Sequence, residues 1–582
     1  MLNQRLLTAL VGGFISVAAL TLNPSTLASA PKPMPVFIGA AADHDPAQLA
    51  TLGSLAAQAA QVLNVAAVDI QPVDINGAPG VATTATLSID NQPATLLLVP
   101  FTVRAPGFKL SVQQGGAMID TDPGQFRTMR GEIAEIPGSI VAASLFDEGL
   151  FARILLPDGR QFWVEPLALR LPDAQFADHA VYQNESILPS GGVCATPDGP
   201  FIPGEGDLEG ERPDTERGGP CGANFCIAQV ACDADRDFFI SQASSVPQTV
   251  SRIESILNSV NIQYERDVFI RHTITQIIVR TDDSNPYNTN DAGGLLSQVA
   301  SEWINNLPGV TRDVTHMFTG RDLSGSTIGV AYLGGICNNG STAYGLVQSS
   351  CCGSFGCSTD LSAHELGHNW NAGHCSCTQF TMNPSLVCRN RFNSTSINQI
   401  VPFRNSRGCL APDILPPPPS EFAILLPADG AQIEITNPLL DWAVSPGAVA
   451  YRVEWATEPS LTGAAIFQVG VSQLQTSNNT FQRGETYYWR VTAVDQYGQQ
   501  TSSTPLTSSF TVIDDNPPPP PECTGDANGD NQVDGADLSI LLAQFGSAVT
   551  PDTGADFNGD GLVNGADLST FLSLFGTTCD NN

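Results

Sequence analysis

The sequence HELGHNWNAGH, residues 364–374, contains three of the chain's seven histidines and a glutamate. Residues four apart lie on one face of an α-helix, so His364 and His368 can offer ring nitrogens to one metal ion. His374 lies beyond that face, so the chain must turn back after His368. A zinc ion with three protein ligands keeps a water whose pKa falls to about 7, and Glu365 stands where it can take the proton. The spacing predicts one catalytic zinc ion.

This stretch resembles the metzincin metalloprotease signature HExxHxxGxxH. Asn371 stands where the signature has glycine, and asparagine is the other residue that most readily adopts the left-handed conformation needed there. Met382 matches the methionine turn of the family, although ordinary core packing would also explain it. The resemblance implies that the three histidines bind zinc and that Glu365 handles the proton during peptide-bond hydrolysis.

Flanking stretches are similar to the adamalysin (reprolysin, ADAM-like) branch of that family. They lie at residues 230–235, 316–320, 329–332, 344–347, 390–392 and 407–410. The branch implies an α/β catalytic domain at 219–412, in which an edge strand at Thr327–Leu333 pairs with extended substrate. It also implies a disulfide between Cys337 and Cys409.

Apolar periodicity within 219–412 agrees with an α/β fold. Helical spacing recurs in two sets, Val250, Ile253, Leu257 and Val260, then Leu296, Val299, Trp303 and Leu307. Ile274–Val279 reads as a buried strand. The sequence does not show how a crowded set of cysteines in this segment pairs with one another. The set is Cys351, Cys352, Cys357, Cys375, Cys377 and Cys388.

The N-terminus and the composition predict a secreted, extracellular protein, with attachment to a cell surface left open. Residues 1–30 have a basic residue, an apolar run and small residues at Ala28 and Ala30, as a signal peptide does. Fourteen cysteines favour disulfides in an exported chain. No other stretch is apolar enough to span a membrane.

The net charge of −33, with Lys32 and Lys109 the only lysines, argues against nucleic acid as a partner. Solubility explains this acidity better than a cationic substrate does.

Two proline-rich linkers, 413–420 and 515–522, divide the C-terminal part. Between them, 421–514 shows alternating apolar residues and resembles a fibronectin type III or immunoglobulin-like β-sandwich. Its tryptophans are Trp442, Trp455 and Trp489. Core packing is the favoured use of these side chains, and a carbohydrate-binding platform is the alternative.

The last segment, 523–580, repeats an acidic loop at a spacing of thirty residues. Both copies have the oxygen ligands of an EF-hand-type calcium loop, with one backbone carbonyl each and Asp in place of the final Glu. The first set is Asp526, Asn528, Asp530, Gln532 (carbonyl), Asp534 and Asp537; the second is Asp556, Asn558, Asp560, Leu562 (carbonyl), Asn564 and Asp567. One helix after each loop resembles a type I dockerin, which implies two Ca²⁺ ions and a cohesin-like or cell-surface partner. A structural calcium-binding tail or two solvated acidic turns are the alternatives. Cys523 and Cys579 flank the unit and are expected to pair.

The long segment 31–218 resembles, from 129 to 182, the prodomain of the same protease branch. Cys194 is the candidate inhibitor, because its thiolate could occupy the fourth zinc position and displace the water. A disulfide to a downstream cysteine is the alternative. Setting aside Cys194, Cys523 and Cys579 leaves eleven of fourteen cysteines, so one of them should be unpaired.

Together these features predict a multidomain chain with an α/β metzincin catalytic domain, a β-rich prodomain, a β-sandwich module and a small α-helical pair of calcium loops. The predicted function is a secreted zinc-dependent endopeptidase made as a zymogen, which cleaves extracellular proteins or peptides. A noncatalytic adhesion protein with the same fold is the alternative, but it gives no reason for Glu365. A different metal-dependent hydrolase is a second rival, since fold does not fix chemistry.

Overall fold

The fold is taken from a computed structural model that describes residues 46–197, 218–513, 523–550 and 553–578, with side chains from residue 54 onward. The predicted signal peptide, the second proline linker and Cys579 lie outside the described residues. Among the helices that are described, none combines the length and the apolar character that crossing a membrane requires. The chain is multidomain and rich in β-structure.

The N-terminal region, which we define as residues 46–187, contains one α-helix, eleven strands and a short 3-10 helix at Asn184–Ser186. The α-helix and the strands are α1 (Pro46–Leu63), β1 (Asp69–Pro72), β2 (Asp74–Asn76), β3 (Thr83–Ile89), β4 (Gln92–Pro100), β5 (Arg104–Gln114), β6 (Ala117–Thr121), β7 (Thr128–Ile133), β8 (Ile136–Phe146), β9 (Gly149–Leu155), β10 (Gln161–Pro166) and β11 (Asp178–Gln183). Nine of them form an antiparallel sheet in the order β1-β11-β10-β9-β8-β7-β4-β3-β2. Apolar side chains such as Leu96, Val141 and Ile154 fill its core.

The next region contains the predicted catalytic domain. Its elements are β12 (Val193–Cys194), β13 (Cys226–Ala234), α2 (Arg236–Ser241), α3 (Val246–Val268), β14 (Ile270–Arg280), α4 (Ala292–Asn305), β15 (Val314–Thr319), β16 (Thr327–Ala331), β17 (Tyr344–Gln348), α5 (Phe355–Asn369), α6 (Ser394–Asn405) and β18 (Ala411–Pro412). The first set of periodic apolar residues lies on α3, and the second lies on α4 except for Leu307, which follows the helix. Central strands β14, β13, β15 and β17 are parallel, and β16 is antiparallel to β17.

One sheet crosses the predicted boundary between residues 218 and 219. Its order is β12-β16-β17-β15-β13-β14-β5-β6, with β18 paired to β13. Strands β5, β6 and β12 therefore come from the predicted prodomain. The main hydrophobic core is also shared, since Leu110 and Trp163 belong to the same cluster as Ile277 and Leu361. The two predicted domains form one packed unit.

Residues 421–513 form a two-sheet sandwich. Its strands are β19 (Ile424–Leu426), β20 (Ala431–Ile433), β21 (Leu439–Trp442), β22 (Ala450–Ala456), β23 (Ala465–Val469), β24 (Gln473–Gln475), β25 (Thr486–Val494), β26 (Gln500–Ser502) and β27 (Ser508–Val512). The tryptophans Trp442, Trp455 and Trp489 are buried in the core, so they form no exposed platform. The first proline linker does not stand free, because Gln499 Nε2 and Thr501 Oγ1 donate to the carbonyls of Pro416 and Pro419.

The C-terminal unit has two short helices, α7 (Gly535–Gln544) and α8 (Gly565–Leu574), each directly after an acidic loop. Asp534 and Asn564 cap these helices through their side chains. A small core centred on Val533, Leu541 and Phe571 joins the two halves. The described residues place no helix directly before either loop, in agreement with the sequence.

Candidate metal centre

Helix α5 carries the first two zinc-ligand candidates. Ser354 caps its N-terminus, where the side chain accepts from Cys357 N at 3.3 Å. Every residue of α5 is buried, which accounts for its weak amphipathic pattern. The helix ends at Asn369, and Asn371 has φ +72°, the left-handed conformation expected at this position. This reversal returns His374 toward the helix face that carries His364 and His368.

The three histidines converge through their Nε2 atoms. His364 Nε2 lies 3.1 Å from His368 Nε2 and 3.3 Å from His374 Nε2. Zinc–nitrogen bonds of about 2.0–2.1 Å at tetrahedral angles put ligand nitrogens about 3.3–3.4 Å apart. The spacing of the nitrogens therefore fits one zinc ion. These three atoms and Cys194 Sγ all lie within 4.8 Å of one another.

The second ring nitrogens of two histidines fix the orientation of the rings. His364 Nδ1 lies 2.6 Å from the carbonyl oxygen of Thr381, and His368 Nδ1 lies 2.8 Å from that of Ala372. A carbonyl can only accept, so each Nδ1 donates and each Nε2 is left with a lone pair for a metal. Burial lowers the pKa of His364 to about 3, which favours the same neutral form.

Glu365 is fully buried, and its Oε1 has no hydrogen-bond partner among the described residues. Burial raises its pKa to about 8. A Cβ at Gly329 on β16 would come within 2.3 Å of Oε1, so only glycine lets the edge strand approach this closely. An unpartnered buried carboxylate oxygen beside three converging imidazoles fits a site that holds a metal and its water.

Met382 lies directly beneath α5. A Cβ at Gly367 would meet its Sδ at 2.5 Å, so the glycine between the two histidine ligands makes room for the methionine. The side chain is fully buried. This packing agrees both with a methionine turn and with ordinary core packing, the two uses considered for Met382 from the sequence.

Asp360 supports the site, and sequence reasoning missed it. Its buried carboxylate accepts from Thr381 Oγ1 at 2.6 Å and from the backbone N–H groups of Arg389 and Asn390. It thereby ties α5 to Thr381, whose carbonyl orients His364. The only signal in the sequence was an acidic residue one turn before His364, and it did not show the partners of Asp360 at residues 381, 389 and 390.

Cys194 lies on the open side of the three histidines. Its Sγ is 3.4 Å from His368 Nε2, and it donates to Glu365 Oε2 at 3.5 Å. The backbone of this short strand pairs with the edge strand, since Val193 N donates to Ser326 O and Ala195 N to Gly329 O. Cys194 is a free cysteine, so the alternative of a disulfide is wrong in this structure.

The structure joins Cys337 to Cys409. The cysteines left open by the sequence pair as Cys351–Cys352, Cys357–Cys388 and Cys375–Cys377, and a further disulfide joins Cys221 to Cys226. Cys232, buried on β13, is free and is the unpaired cysteine that the count required. Cys523 is disulfide-bonded, while Cys579 lies outside the described residues.

The calcium-ligand candidates lie around the two C-terminal loops. Carboxylate oxygens of Asp556, Asp560 and Asp567 lie within 4.8 Å of one another. In the first loop, Asp526 accepts from the N–H groups of Gly529 and Asn531. The remaining candidates take part in hydrogen bonds between backbone N–H groups and side-chain oxygens of their own loop, and these bonds recur in both copies. They are Asn528, Asp530, Gln532, Asp534 and Asp537 in the first copy, then Asn558, Leu562 and Asn564 in the second.

Comparison with protein families agrees with both sites. Residues 250–375 match the family model described as Metallo-peptidase family M12B Reprolysin-like, and residues 524–571 match the Dockerin type I domain. The chain thus contains a reprolysin-like metallopeptidase domain and a C-terminal dockerin domain. The first implies zinc and peptide substrates. The second implies calcium, and dockerin domains are typically extracellular and typically bind cohesin partners.

Proposed function

We propose that this chain is a secreted zinc-dependent endopeptidase that is made in a latent form and cleaves extracellular proteins. One observation carries the proposal: three histidine Nε2 atoms and Cys194 Sγ converge beside the buried carboxylate of Glu365. The match to a reprolysin-like metallopeptidase supports zinc-dependent proteolysis. The predicted signal peptide and the disulfides support secretion.

In the proposed reaction, the three histidines would hold zinc, which would polarise the scissile carbonyl and acidify a water. Glu365 accepts a proton at its carboxylate and returns it to the leaving amine. Its buried surroundings keep competing hydrogen bonds away from Oε1. Strand β16 offers backbone donors and acceptors along which an extended peptide can pair.

Latency is proposed to come from Cys194. Its Sγ lies where a fourth ligand would complete the set of three nitrogens, and its strand covers part of the edge of β16. While this strand is present, it competes with a peptide substrate for the backbone groups of β16. Removal of the strand would free both the metal position and the backbone groups of β16.

The C-terminal unit is proposed to bind two Ca²⁺ ions and to attach the enzyme to a cohesin-like or cell-surface partner. Four exposed apolar side chains recur at the thirty-residue spacing of the repeat, namely Leu542 with Leu572 and Phe545 with Phe575. Exposed apolar groups at equivalent places on the two helices and directly after them support a docking role. A structural tail would not require them.

Casein cleavage by the processed protein, with and without a zinc chelator, tests the function. We expect cleavage that a chelator stops and that added zinc restores. A noncatalytic adhesion protein would bind zinc but leave casein intact. A different metal-dependent hydrolase would also leave casein intact, yet would hydrolyse small ester or amide substrates in a chelator-sensitive way.

A further inference from the structure

The N-terminal region completes the sheet of the metallopeptidase domain. Strand β5 runs parallel to β14, with Leu110 beside Ile277 and Gln113 beside Arg280. Hairpin partner β6 then forms the outer edge. Without β5, the backbone donors and acceptors of Ile274–Arg280 on this edge of β14 would be exposed. The sheet is therefore incomplete without this hairpin.

Buried charges of the metallopeptidase domain also find partners on the hairpin. Arg280, which is fully buried, donates to Gln113 Oε1 at 2.6 Å as well as to Asp233. Arg104 pairs with Glu254 of α3 at 2.5 Å, and Glu254 is only 1% exposed. Loss of the hairpin would take these hydrogen-bond partners away from buried polar groups.

The zinc helix itself begins against the N-terminal region. Glu165, on β10, accepts at Oε1 from the N–H of Phe355, the first residue of α5, at 2.6 Å. Tyr182 donates to the same oxygen, and Arg170 lies 3.1 Å from Oε2. A carboxylate at a helix N-terminus stabilises the helix through its exposed N–H groups and its dipole. Glu165 thus helps to position the helix that carries His364 and His368.

A second buried contact lies along α3. Arg153, on β9, is fully buried and donates to the carbonyls of Ser259 and Asn390 at 2.8 Å each. In return, the Asn258 side chain on α3 donates to the carbonyls of Met129 and Ala143. These contacts resemble the interior of one domain and not a surface meant to separate.

The inhibitory segment is attached much more lightly. The switch strand, which we define as residues 191–197, includes only the two paired residues of β12. Residues 188, 189 and 191, just before its pairing, are exposed. Its backbone pairs with β16 and with the segment that follows Met382, its Cys194 thiol lies beside His368, and Thr196 Oγ1 donates to Ala331 O and accepts from Ala331 N.

We propose that the N-terminal region is a permanent part of the peptidase and that only the switch strand is removed on activation. This inference rests on the proposed function. If the chain is cut only after residue 197, the strand stays tethered to a region that remains bound, so its effective concentration at the metal stays high. One cut leaves the enzyme latent. A second cut, within residues 188–191, releases the inhibitory peptide.

Full-length precursor with engineered sites for a specific protease tests this. One site is placed between residues 198 and 217, and the second replaces residues 188–191. After the first cut alone, we expect the N-terminal fragment to co-elute with the rest in gel filtration and casein cleavage to rise less than tenfold. After both cuts, the fragment should still co-elute, and cleavage should reach the level of uncut Cys194→Ala. Separation of the fragment from a folded, active remainder would overturn the inference, as would full activity after one cut.

Two variants test the named contacts. Gln113→Ala with Glu165→Ala should increase the fraction of free N-terminal fragment after both cuts, whereas Met118→Ala, on the exposed face of the same hairpin, should not. Equal retention in both variants would contradict the role of these contacts. Co-elution without any casein cleavage would support the permanent region and reject the peptidase function, so the two ideas can fail separately.

Discussion

The metal centre on α5 and the two C-terminal loops both carry ligands at regular sequence spacing, but their surroundings differ. His364 and His368 are 2% and 1% exposed and are oriented by carbonyls from other turns of the chain. Asp530 and Asp560 are exposed and bond only within their own loops. The first site is shaped by tertiary packing. The second concentrates negative charge that a cation must relieve.

The largest effect on the metal centre is expected from a substitution of Glu365. Glu365→Ala should lower peptidase turnover about 10²–10⁴-fold, because the carboxylate transfers protons. Zinc content should stay normal, since the side chain is not among the three converging imidazoles. Metal content and casein turnover are measured on one preparation. His374→Ala is the control that should lose zinc and activity together, and near-normal turnover in zinc-loaded Glu365→Ala would sink the assigned role.

Cys194→Ala should yield a precursor that is active before processing, because no thiol then lies opposite the three histidines. Activity of the uncut precursor is the measurement. Cys232→Ala is a matched control, since Cys232 is also free but is buried on β13. It should leave the precursor latent. If the Cys194→Ala precursor stays latent, inhibition comes from the backbone pairing of β12 with β16 and not from the thiol.

Asp360→Asn should weaken zinc binding about 10–100-fold, the usual cost of disturbing groups that orient metal ligands. Zinc affinity is measured by competition with a chromogenic chelator. Asp235→Asn is the matched control: Asp235 is also buried and accepts from one threonine hydroxyl and two backbone N–H groups. It should destabilise the fold yet leave zinc affinity unchanged. Equal loss of zinc affinity in both variants would show that the effect comes from general destabilisation of the fold and not from the contact between Asp360 and Thr381.

The smallest effect on catalysis is expected at the calcium loops. Asp526→Ala with Asp556→Ala should abolish the heat of calcium binding that the intact chain shows for two ions, yet leave casein cleavage unchanged. Titration calorimetry and turnover on the same zinc-loaded protein check both halves. An intact chain that gives no heat with calcium would reject these sites, and a parallel fall in turnover would show that the module supports the metal centre.

Much of the candidate site could be read from sequence because its spacing reflects local geometry. The four-residue separation of His364 and His368 follows from the helix period, and the turn at Asn371 follows from its tolerance of positive φ. The calcium-loop pattern is equally local. Asp360 and Glu165 could not be assigned in this way, because their partners lie elsewhere in the chain, at residues 381–390 and 355.

The sequence by itself predicted the candidate ligands and their order, the periodic helices α3 and α4, core packing as the favoured use of the tryptophans, and one unpaired cysteine. Only the tertiary structure decided that β5 and β6 complete the metallopeptidase sheet, that Cys232 is the unpaired thiol and that Cys194 meets the three histidines. Local spacing follows from the fixed period of helices and turns. Pairings between distant segments depend on which surfaces bury each other, and a single sequence does not reveal that choice.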